Sequence, residues 1–174
     1  NGSIKVSIGY DTRLFSKEFA YEAATIFSSN NIKSYLFSDI RPTPLVSYAV
    51  RKLNCQCGIM ITASHNPKEY NGYKVYWSDG GQIVYPHDIN IINEVNKLDD
   101  ISNIKRKNKS LIKLIDESID KPYLDDLSKL SLFSNENSKL KILYTPIHGT
   151  GIKIVPQAIK SFGFKNVKII KSQE

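Results

Sequence analysis

The sequence has few cysteines and no long apolar run. Cys55 and Cys57 are its only two cysteines. Residues i and i+2 of a strand share a face but lie too far apart for relaxed disulfide geometry. We therefore expect buried free thiols, which suit a reducing compartment such as the cytoplasm. No apolar run approaches the roughly 20 residues of a membrane-spanning helix. The first residues lead directly into a strand pattern, so we expect no signal peptide and no membrane partner.

A basic stretch with interleaved aromatic residues is also missing, although the formal net charge is +7. The densest basic cluster covers residues 105–109 and lies in a polar stretch without aromatic side chains on which bases could stack. We interpret it as part of a solvated linker and expect no nucleic-acid partner. The excess of Lys and Arg elsewhere equally suits a protein that attracts phosphorylated metabolites.

The first hundred residues alternate between strand and helix patterns. Strands are predicted at residues 4–10, 33–37 and 58–62, with helices that begin at Ser16, as the N-cap, and near Thr43. This order predicts a parallel sheet with right-handed crossovers and helices on both faces. Two more strands, at 73–77 and 82–85, and a helix at 87–98 complete the pattern. We therefore expect a three-layer α/β domain with a mostly parallel, mixed sheet over residues 1–98.

The remaining sequence changes character twice. Residues 99–138 are rich in Asn, Ser, Lys and Asp, contain no convincing strand and include one short helix at 121–130, which predicts a linker. Residues 139–174 then show a strand at 140–144, a helix at 152–161 and a strand at 166–170. Because such a unit buries too little to stand alone, we expect it to be the start of a second α/β domain.

Three polar residues are predicted to meet at one edge of the first sheet. Asp11 and Arg13 follow the first strand, and Ser64 follows the third. Parallel α/β sheets bind ligands at the carboxyl ends of their strands. This edge is therefore the candidate site, independently of any family.

The loop that carries Ser64 resembles that of a known family. Residues 62–67 (Thr-Ala-Ser-His-Asn-Pro) and 71–74 (Asn-Gly-Tyr-Lys) are similar to the phosphoserine loop of the α-D-phosphohexomutases, the superfamily of phosphoglucomutases and phosphomannomutases. Residues 9–13, 41–44 and 144–151 resemble other segments of these enzymes, and 74–77 resembles the branch with phosphopentomutases and glucose-1,6-bisphosphate-type phosphoglucomutases. The family has four domains around a cleft, so the resemblance implies a fragment with most of the first domain and the opening of the second.

The resemblance implies roles for two residues of this loop. Ser64 would be the phosphoserine that donates and recovers the phosphoryl group, and its phosphate would be the one metal-ligating group in this chain. The cofactor would be Mg²⁺, with aspartate ligands outside the chain, and a sugar bisphosphate would act as activator. Lys74, ten residues after Ser64, would be the general acid or base for the sugar hydroxyl. The alternative for Lys74 is an ordinary solvated lysine.

Four further residues are candidates with open alternatives. His65, also a catalytic candidate, would hydrogen-bond the substrate or the loop, or have a purely structural role. A hydrolase pair of Ser64 and His65 is rejected, because neighbours in an extended segment project to opposite sides and no Gly-x-Ser-x-Gly motif is present. Arg13 would meet phosphate or form a salt bridge that fixes the loop. Asn66 and His148 would bind substrate, His148 from a Gly-rich loop at a strand end.

The expected function is that of a phosphoglucomutase-like enzyme. It would interconvert sugar 1-phosphates and 6-phosphates, or 1- and 5-phosphates, through the phosphoserine and a bisphosphorylated sugar. Phosphopentomutase and phosphomannomutase are the alternatives within the class. A non-catalytic module that binds phosphorylated sugars is the alternative from another class. The expected partner is a phosphorylated sugar, and no pattern indicates an oligomeric state.

Overall fold

The structure, a computed structural model, describes residues 3–132 and 139–173. The last part of the predicted linker, residues 133–138, lies outside the described residues. So do the first two residues and the last one.

The central strand β1 (Lys5–Tyr10) forms because its residues alternate between two buried faces. Val6 and Ile8 contribute to the apolar cluster on one face. Gly9 lies on the opposite face, where an added Cβ would be 2.5 Å from the Val46 side chain. A small residue at this position therefore lets a helix pack close to the sheet.

Four further strands extend the sheet on both sides of β1. They are β2 (Lys33–Phe37), β3 (Cys57–Ile61), β4 (Tyr73–Tyr76) and β5 (Ile112–Ile115). The strand order is β4-β3-β1-β2-β5. The pairs β1–β2, β1–β3 and β2–β5 are parallel, and β4 is antiparallel to β3. The prediction of a mostly parallel, mixed sheet is confirmed.

Helices cover both faces of this sheet, as predicted. The first four are α1 (Ser16–Ser29), α2 (Thr43–Lys52), α3 (His87–Asn96) and α4 (Glu117–Ser128). Ala20 and Ala24 of α1 join the cluster on the face of Val6 and Ile8. The side chains of α2 and α4 form the cluster on the other face. Helix α3 has no buried residue in the part of the chain that the structure describes.

Two predictions about the strands are wrong. The sequence predicts no strand in residues 99–138, yet β5 pairs with β2 and extends the first sheet past residue 98. The strand was missed because Lys113 and Leu114 are exposed at the sheet edge, so its short pattern lacks the expected alternation. The predicted strand at 82–85 is reduced to one bridge between Gln82 and Tyr76. The Val84 carbonyl already accepts hydrogen bonds from the first residues of α3.

The end of the chain forms a small parallel unit. Strands β6 (Lys141–Tyr144) and β7 (Asn166–Ile169) pair in parallel, with α5 (Val155–Ser161) between them. This confirms the predicted strand–helix–strand pattern. The unit packs on the first one, because Ile154 is buried in the cluster formed by α2 and α4. Lys153 also forms an ion pair with Asp39, which follows β2.

Both cysteines are free, as predicted. Cys55 is buried, and this burial raises the pKa of its thiol to about 12. Such a thiol stays protonated and unreactive at neutral pH. Among the described residues, no helix has the length and apolar character needed to cross a membrane.

Candidate active site

Ser64 lies just past the carboxyl end of β3, beside the topological switch point between β1 and β3. The chain passes from β1 to its neighbour β2 on one side and from β3 to β4 on the other. Crevices of this kind are where open α/β sheets bind ligands. Asp11 and Arg13 follow β1 at the same edge, and the Asp11 N–H donates to the Ile61 carbonyl. The predicted meeting of these three residues is therefore present.

The backbone of Ser64 is left-handed, with φ 58°. Its N–H donates to the Thr62 hydroxyl at 3.0 Å, and its side chain is exposed. The base of the loop is closed by the Thr62 N–H, which donates to the Gly72 carbonyl at 3.0 Å. An added Cβ at Gly72 would lie 2.7 Å from the Thr62 carbonyl oxygen. Only glycine permits this close approach, so Gly72 helps to set where the serine loop begins.

The Arg13 guanidinium lies inside the serine loop. Its Nη2 donates to the carbonyls of Ser64 at 2.5 Å and Asn66 at 2.6 Å. Its Nη1 donates to the carbonyls of Pro67 at 2.6 Å and Tyr70 at 3.2 Å. The guanidinium is thus engaged by the loop, which is the second of the two alternatives left open by the sequence. In this arrangement the two Nη atoms of Arg13 make four hydrogen bonds to the loop, so neither has a free N–H for the alternative contact with phosphate.

Asp11 holds Arg13 in this position. The Asp11 carboxylate lies 3.3 Å from Arg13 Nε and accepts the Arg13 N–H at 3.0 Å. It also accepts the Ser16 hydroxyl at 2.7 Å. The prediction of Ser16 as the N-cap of α1 is wrong, because Phe15 occupies that position and Ser16 is the first helical residue. The Ser16 hydroxyl accepts a hydrogen bond from the Asn71 amide at 2.8 Å, which ties the far end of the loop to α1.

His65 is closer to the Ser64 hydroxyl than the sequence predicts. Its Nδ1 lies 3.3 Å from Ser64 Oγ. The expectation that the two side chains project to opposite sides is wrong, because it assumed an extended backbone and Ser64 is left-handed. The contact supports a hydrogen-bonding role for His65. No described residue forms a hydrogen bond with His65 Nε2, as the third member of a hydrolase triad would.

A cleft of about 900 Å³ opens in front of Ser64. One wall is formed by the loops after β1 and β3, including Ser64, His65 and Asn66. The other wall is the loop after β6, where His148 is exposed to the cleft. The Thr12 hydroxyl donates to the His148 carbonyl at 2.5 Å and joins the two walls. The structure therefore places His65, Asn66 and His148 in the lining of the same cleft as Ser64.

Of the two lysines near this cleft, Lys68 lines it and Lys74 does not. Lys74 pairs with Met60 in the antiparallel ladder of β3 and β4. Met60 lines the cleft, but Lys74 is not among the lining residues. Lys68, which the sequence motifs did not predict as a site residue, does line it. Its signal was its place in the serine loop, directly after Pro67. Neither ammonium group has a hydrogen-bond or ion-pair partner in residues 3–132 and 139–173.

A divalent cation would need carboxylates that this part of the protein does not group together. No set of three or more His, Cys, Asp or Glu side chains could hold a metal ion within the described residues. Asp11, the one carboxylate among the described residues that line the cleft, is already bonded to Arg13 and Ser16. The residues present therefore do not form a metal site by themselves.

Two family models match almost the whole chain. The model of the alpha/beta/alpha domain I of phosphoglucomutase/phosphomannomutase matches residues 1–102. The model of domain II of the same family matches residues 121–174. The resemblance stated from the sequence motifs is confirmed.

Curated relatives and a solved structure agree with these matches. A phosphoglucomutase from Staphylococcus haemolyticus is 38% identical over 97% of this chain and 31% of its own length. A phosphopentomutase from Pongo abelii is 41% identical over 91% of this chain and 27% of its own. The crystal structure of a protein described as a phosphomannomutase from Thermus thermophilus has a TM-score of 0.77 and 26% identity, covering 97% of this chain and 37% of that one. The chain thus spans between 27% and 37% of the length of these proteins.

Proposed function

Because the chain belongs to the phosphoglucomutase/phosphomannomutase family, we propose that Ser64 carries the phosphoryl group transferred by a sugar-phosphate mutase. The activity would belong to a longer protein, of which this chain supplies most of the first domain, including β5, and the beginning of the second. One observation carries the proposal. Ser64 is exposed at the carboxyl end of β3, faces the 900 Å³ cleft and has His65 Nδ1 3.3 Å from its hydroxyl oxygen.

The proposed reaction has two transfers. A sugar hydroxyl attacks the phosphorus of phosphorylated Ser64, the bond from Ser64 Oγ to phosphorus breaks, and the hydroxyl proton passes to a base. The bisphosphorylated sugar then returns its other phosphoryl group to Ser64 Oγ, and a proton is delivered to the released sugar oxygen. Lys74 is proposed for the proton transfers. It lies opposite Met60 in the sheet, and its four-carbon stem would have to turn toward the cleft.

The other lining residues would bind the anionic substrate. His65 and Asn66 in the serine loop and His148 on the opposite wall offer hydrogen-bond donors to sugar and phosphate oxygens. Lys68 adds a positive charge on the same side. The net charge of +7 would attract such an anion from a distance.

Mg²⁺ is proposed as the cofactor of the complete protein. A phosphoserine brings about −1.5 to −2 charges at neutral pH, and a cation with oxygen ligands would offset them. The phosphate on Ser64 would be the only ligand from the described residues, so the carboxylates would come from elsewhere in the protein. A sugar bisphosphate as activator and a location in the cytoplasm are further parts of this proposal.

The test is the phosphorylation state of Ser64 in the complete protein. We expect the intact mass of the purified protein, incubated with glucose 1,6-bisphosphate, to include one phosphoryl group that peptide mapping places on Ser64. Ser64→Ala should lose both this phosphate and all turnover. Ser78→Ala, a change of another exposed serine, just after β4, should keep both. A wild-type protein that is never phosphorylated but binds sugar phosphates would instead be a binding module.

Substrate preference is tested with the same protein. The relatives include a phosphoglucomutase and a phosphopentomutase at similar identity. We propose a preference for glucose 1-phosphate, with ribose 1-phosphate and mannose 1-phosphate as the competing substrates. A kcat/KM that is highest for ribose 1-phosphate would assign the protein to the phosphopentomutases.

A further inference from the structure

We infer that Arg13 is a positioning residue that sets the conformation of the serine loop, residues 62–72, and thereby the direction of the Ser64 hydroxyl. This inference rests on the proposed role of Ser64. It concerns a residue that does not touch the reacting atoms and acts through four backbone carbonyls.

The geometry of the Arg13 guanidinium suits it to hold the loop. Its four hydrogen bonds reach carbonyls spread over residues 64–70, so that one rigid group fixes the relative position of a whole turn of chain. A guanidinium presents its donors in a planar fork, whereas an ammonium is a point charge on a flexible stem. A lysine in place of Arg13 could keep the charge but could not hold the four carbonyls together.

The left-handed backbone of Ser64 needs support from its surroundings. Residues other than glycine seldom adopt positive φ, and such a conformation persists only where its surroundings impose it. The carbonyl of Ser64 receives the shortest of the four bonds from Arg13, at 2.5 Å. Without this bond, we expect Ser64 to relax toward an extended conformation. Its hydroxyl would then turn away from His65 Nδ1.

Arg13 is itself held in place by Asp11. Its side chain is only 9% exposed, and that of its partner Asp11 is 11% exposed. The Asp11 carboxylate is oriented in turn by the Ser16 hydroxyl. An arginine paired in this way is placed to support the loop and does not reach for a phosphate in the cleft.

The consequence is kinetic. Phosphoryl transfer depends on the alignment of the attacking and leaving oxygens, and a displacement of about 1 Å can lower a rate by roughly 10²-fold. We therefore expect Arg13→Lys in the complete protein to lower kcat for glucose 1-phosphate by roughly 10²-fold, with KM unchanged. Amide hydrogen exchange in residues 62–72 should become faster. Methylguanidinium added to Arg13→Ala should restore part of the lost kcat.

The matched control is Arg41→Lys. Arg41 is a buried arginine with a carboxylate partner, Asp120, and its guanidinium hydrogen bonds go to Asp120 and the Ile40 carbonyl instead of the serine loop. This variant should lose stability while keeping the wild-type kcat and the wild-type exchange of residues 62–72. If Arg13→Lys behaves like Arg41→Lys in both measurements, the inference is overturned.

Two arms keep the test decisive. If both Arg13 variants fail to fold, Asp11→Asn is the substitute test. This change removes the negative charge that orients Arg13 and keeps the shape of the Asp11 side chain. Unchanged loop exchange in Asp11→Asn would then overturn the inference, and faster exchange would support it. If wild-type protein carries no phosphate on Ser64, the proposed function fails. Loop exchange still decides the role of Arg13, because it requires no catalysis.

Discussion

At the scale of single residues, the site depends on backbone conformation as much as on side-chain chemistry. Ser64 has a positive φ, and its hydroxyl oxygen lies 3.3 Å from His65 Nδ1. A left-handed residue costs of order 1–3 kcal/mol when it is not glycine. The hydrogen bonds from Arg13 to the loop and from the Ser64 N–H to Thr62 offset this cost. The neighbours of Ser64 therefore hold its backbone in this conformation.

Lys74 is the residue whose role can be tested most directly. In the complete protein, we expect Lys74→Ala to leave phosphorylation of Ser64 by a sugar bisphosphate possible. Turnover should fall by roughly 10²- to 10⁴-fold, as is typical for loss of a general acid or base. Lys74→Arg should restore little, because a guanidinium stays protonated. The measurements are intact mass and steady-state kcat.

The matched control for Lys74 is Lys113→Ala. Lys113 is a lysine of strand β5 in the same sheet, at the opposite edge from β4. This variant should keep the wild-type kcat. If Lys74→Ala also keeps it, Lys74 is an ordinary strand lysine and the proposed proton transfers need another group.

The sequence predicted which residues meet at the site but not how they are oriented. Asp11, Arg13 and Ser64 follow parallel strands, and the carboxyl ends of such strands share one edge. This rule does not include side-chain direction. The left-handed backbone of Ser64 and the four carbonyl contacts of Arg13 depend on packing between distant segments, which no local pattern encodes. The contact between Ser64 and His65 was missed for that reason.

At the scale of elements, β5 and α4 attach the supposed linker to the first sheet. Ile115 and Ile119 are buried in the cluster under α2. The Arg41 guanidinium bonds both carboxylate oxygens of Asp120, at 2.8 and 2.6 Å. The side chains of this pair are only 3% and 8% exposed. A buried bidentate pair of this kind joins the end of β2 to α4.

This buried pair gives the prediction at the element scale. Asp120→Asn should lower the free energy of unfolding by about 3 kcal/mol, because it leaves the buried Arg41 charge without its partner. Urea unfolding of the complete protein measures the change. Joint replacement by Arg41→Met and Asp120→Leu should cost less than the single change, since no buried charge remains.

The control for this pair is Lys97→Ala, which breaks the exposed pair of Lys97 with Glu94 on α3. Exposed pairs of this kind contribute little, so its unfolding midpoint should stay close to that of wild type. An Asp120→Asn protein as stable as Lys97→Ala would show that the buried pair does not hold α4 to the sheet.

Strong periodicity made most of the elements predictable, and weak periodicity made the others difficult. Strands β1, β2 and β3 have buried residues on both faces, and their sequences show it. Strand β5 has four residues, of which Lys113 and Leu114 are exposed. Pairing with β2 decides its conformation, so it becomes a strand only in the context of the sheet. The composition of residues 99–138 could not reveal this.

At the scale of the whole molecule, the cleft exists because two α/β units touch. The first unit supplies Ser64, and the second supplies the wall with His148. The bond from Thr12 to the His148 carbonyl and the ion pair of Lys153 with Asp39 hold the wall in place. Burial acts to raise the pKa of Asp39, but the hydrogen bond from Lys153 and the one from the Ile40 N–H outweigh it and lower that pKa.

The cleft described here is open on the side that the two units do not cover, and this leads to the last prediction. The 174-residue chain alone should show no measurable interconversion of glucose 1-phosphate and glucose 6-phosphate. Phosphoryl transfer needs both substrate alignment and stabilisation of the phosphate charge. The described residues supply the proposed carrier serine but no cluster of metal-ligating side chains. A coupled assay for glucose 6-phosphate, with the complete protein as positive control and the Ser64→Ala chain as background, measures this. Turnover by the isolated chain above that background would show that these residues form a sufficient active site.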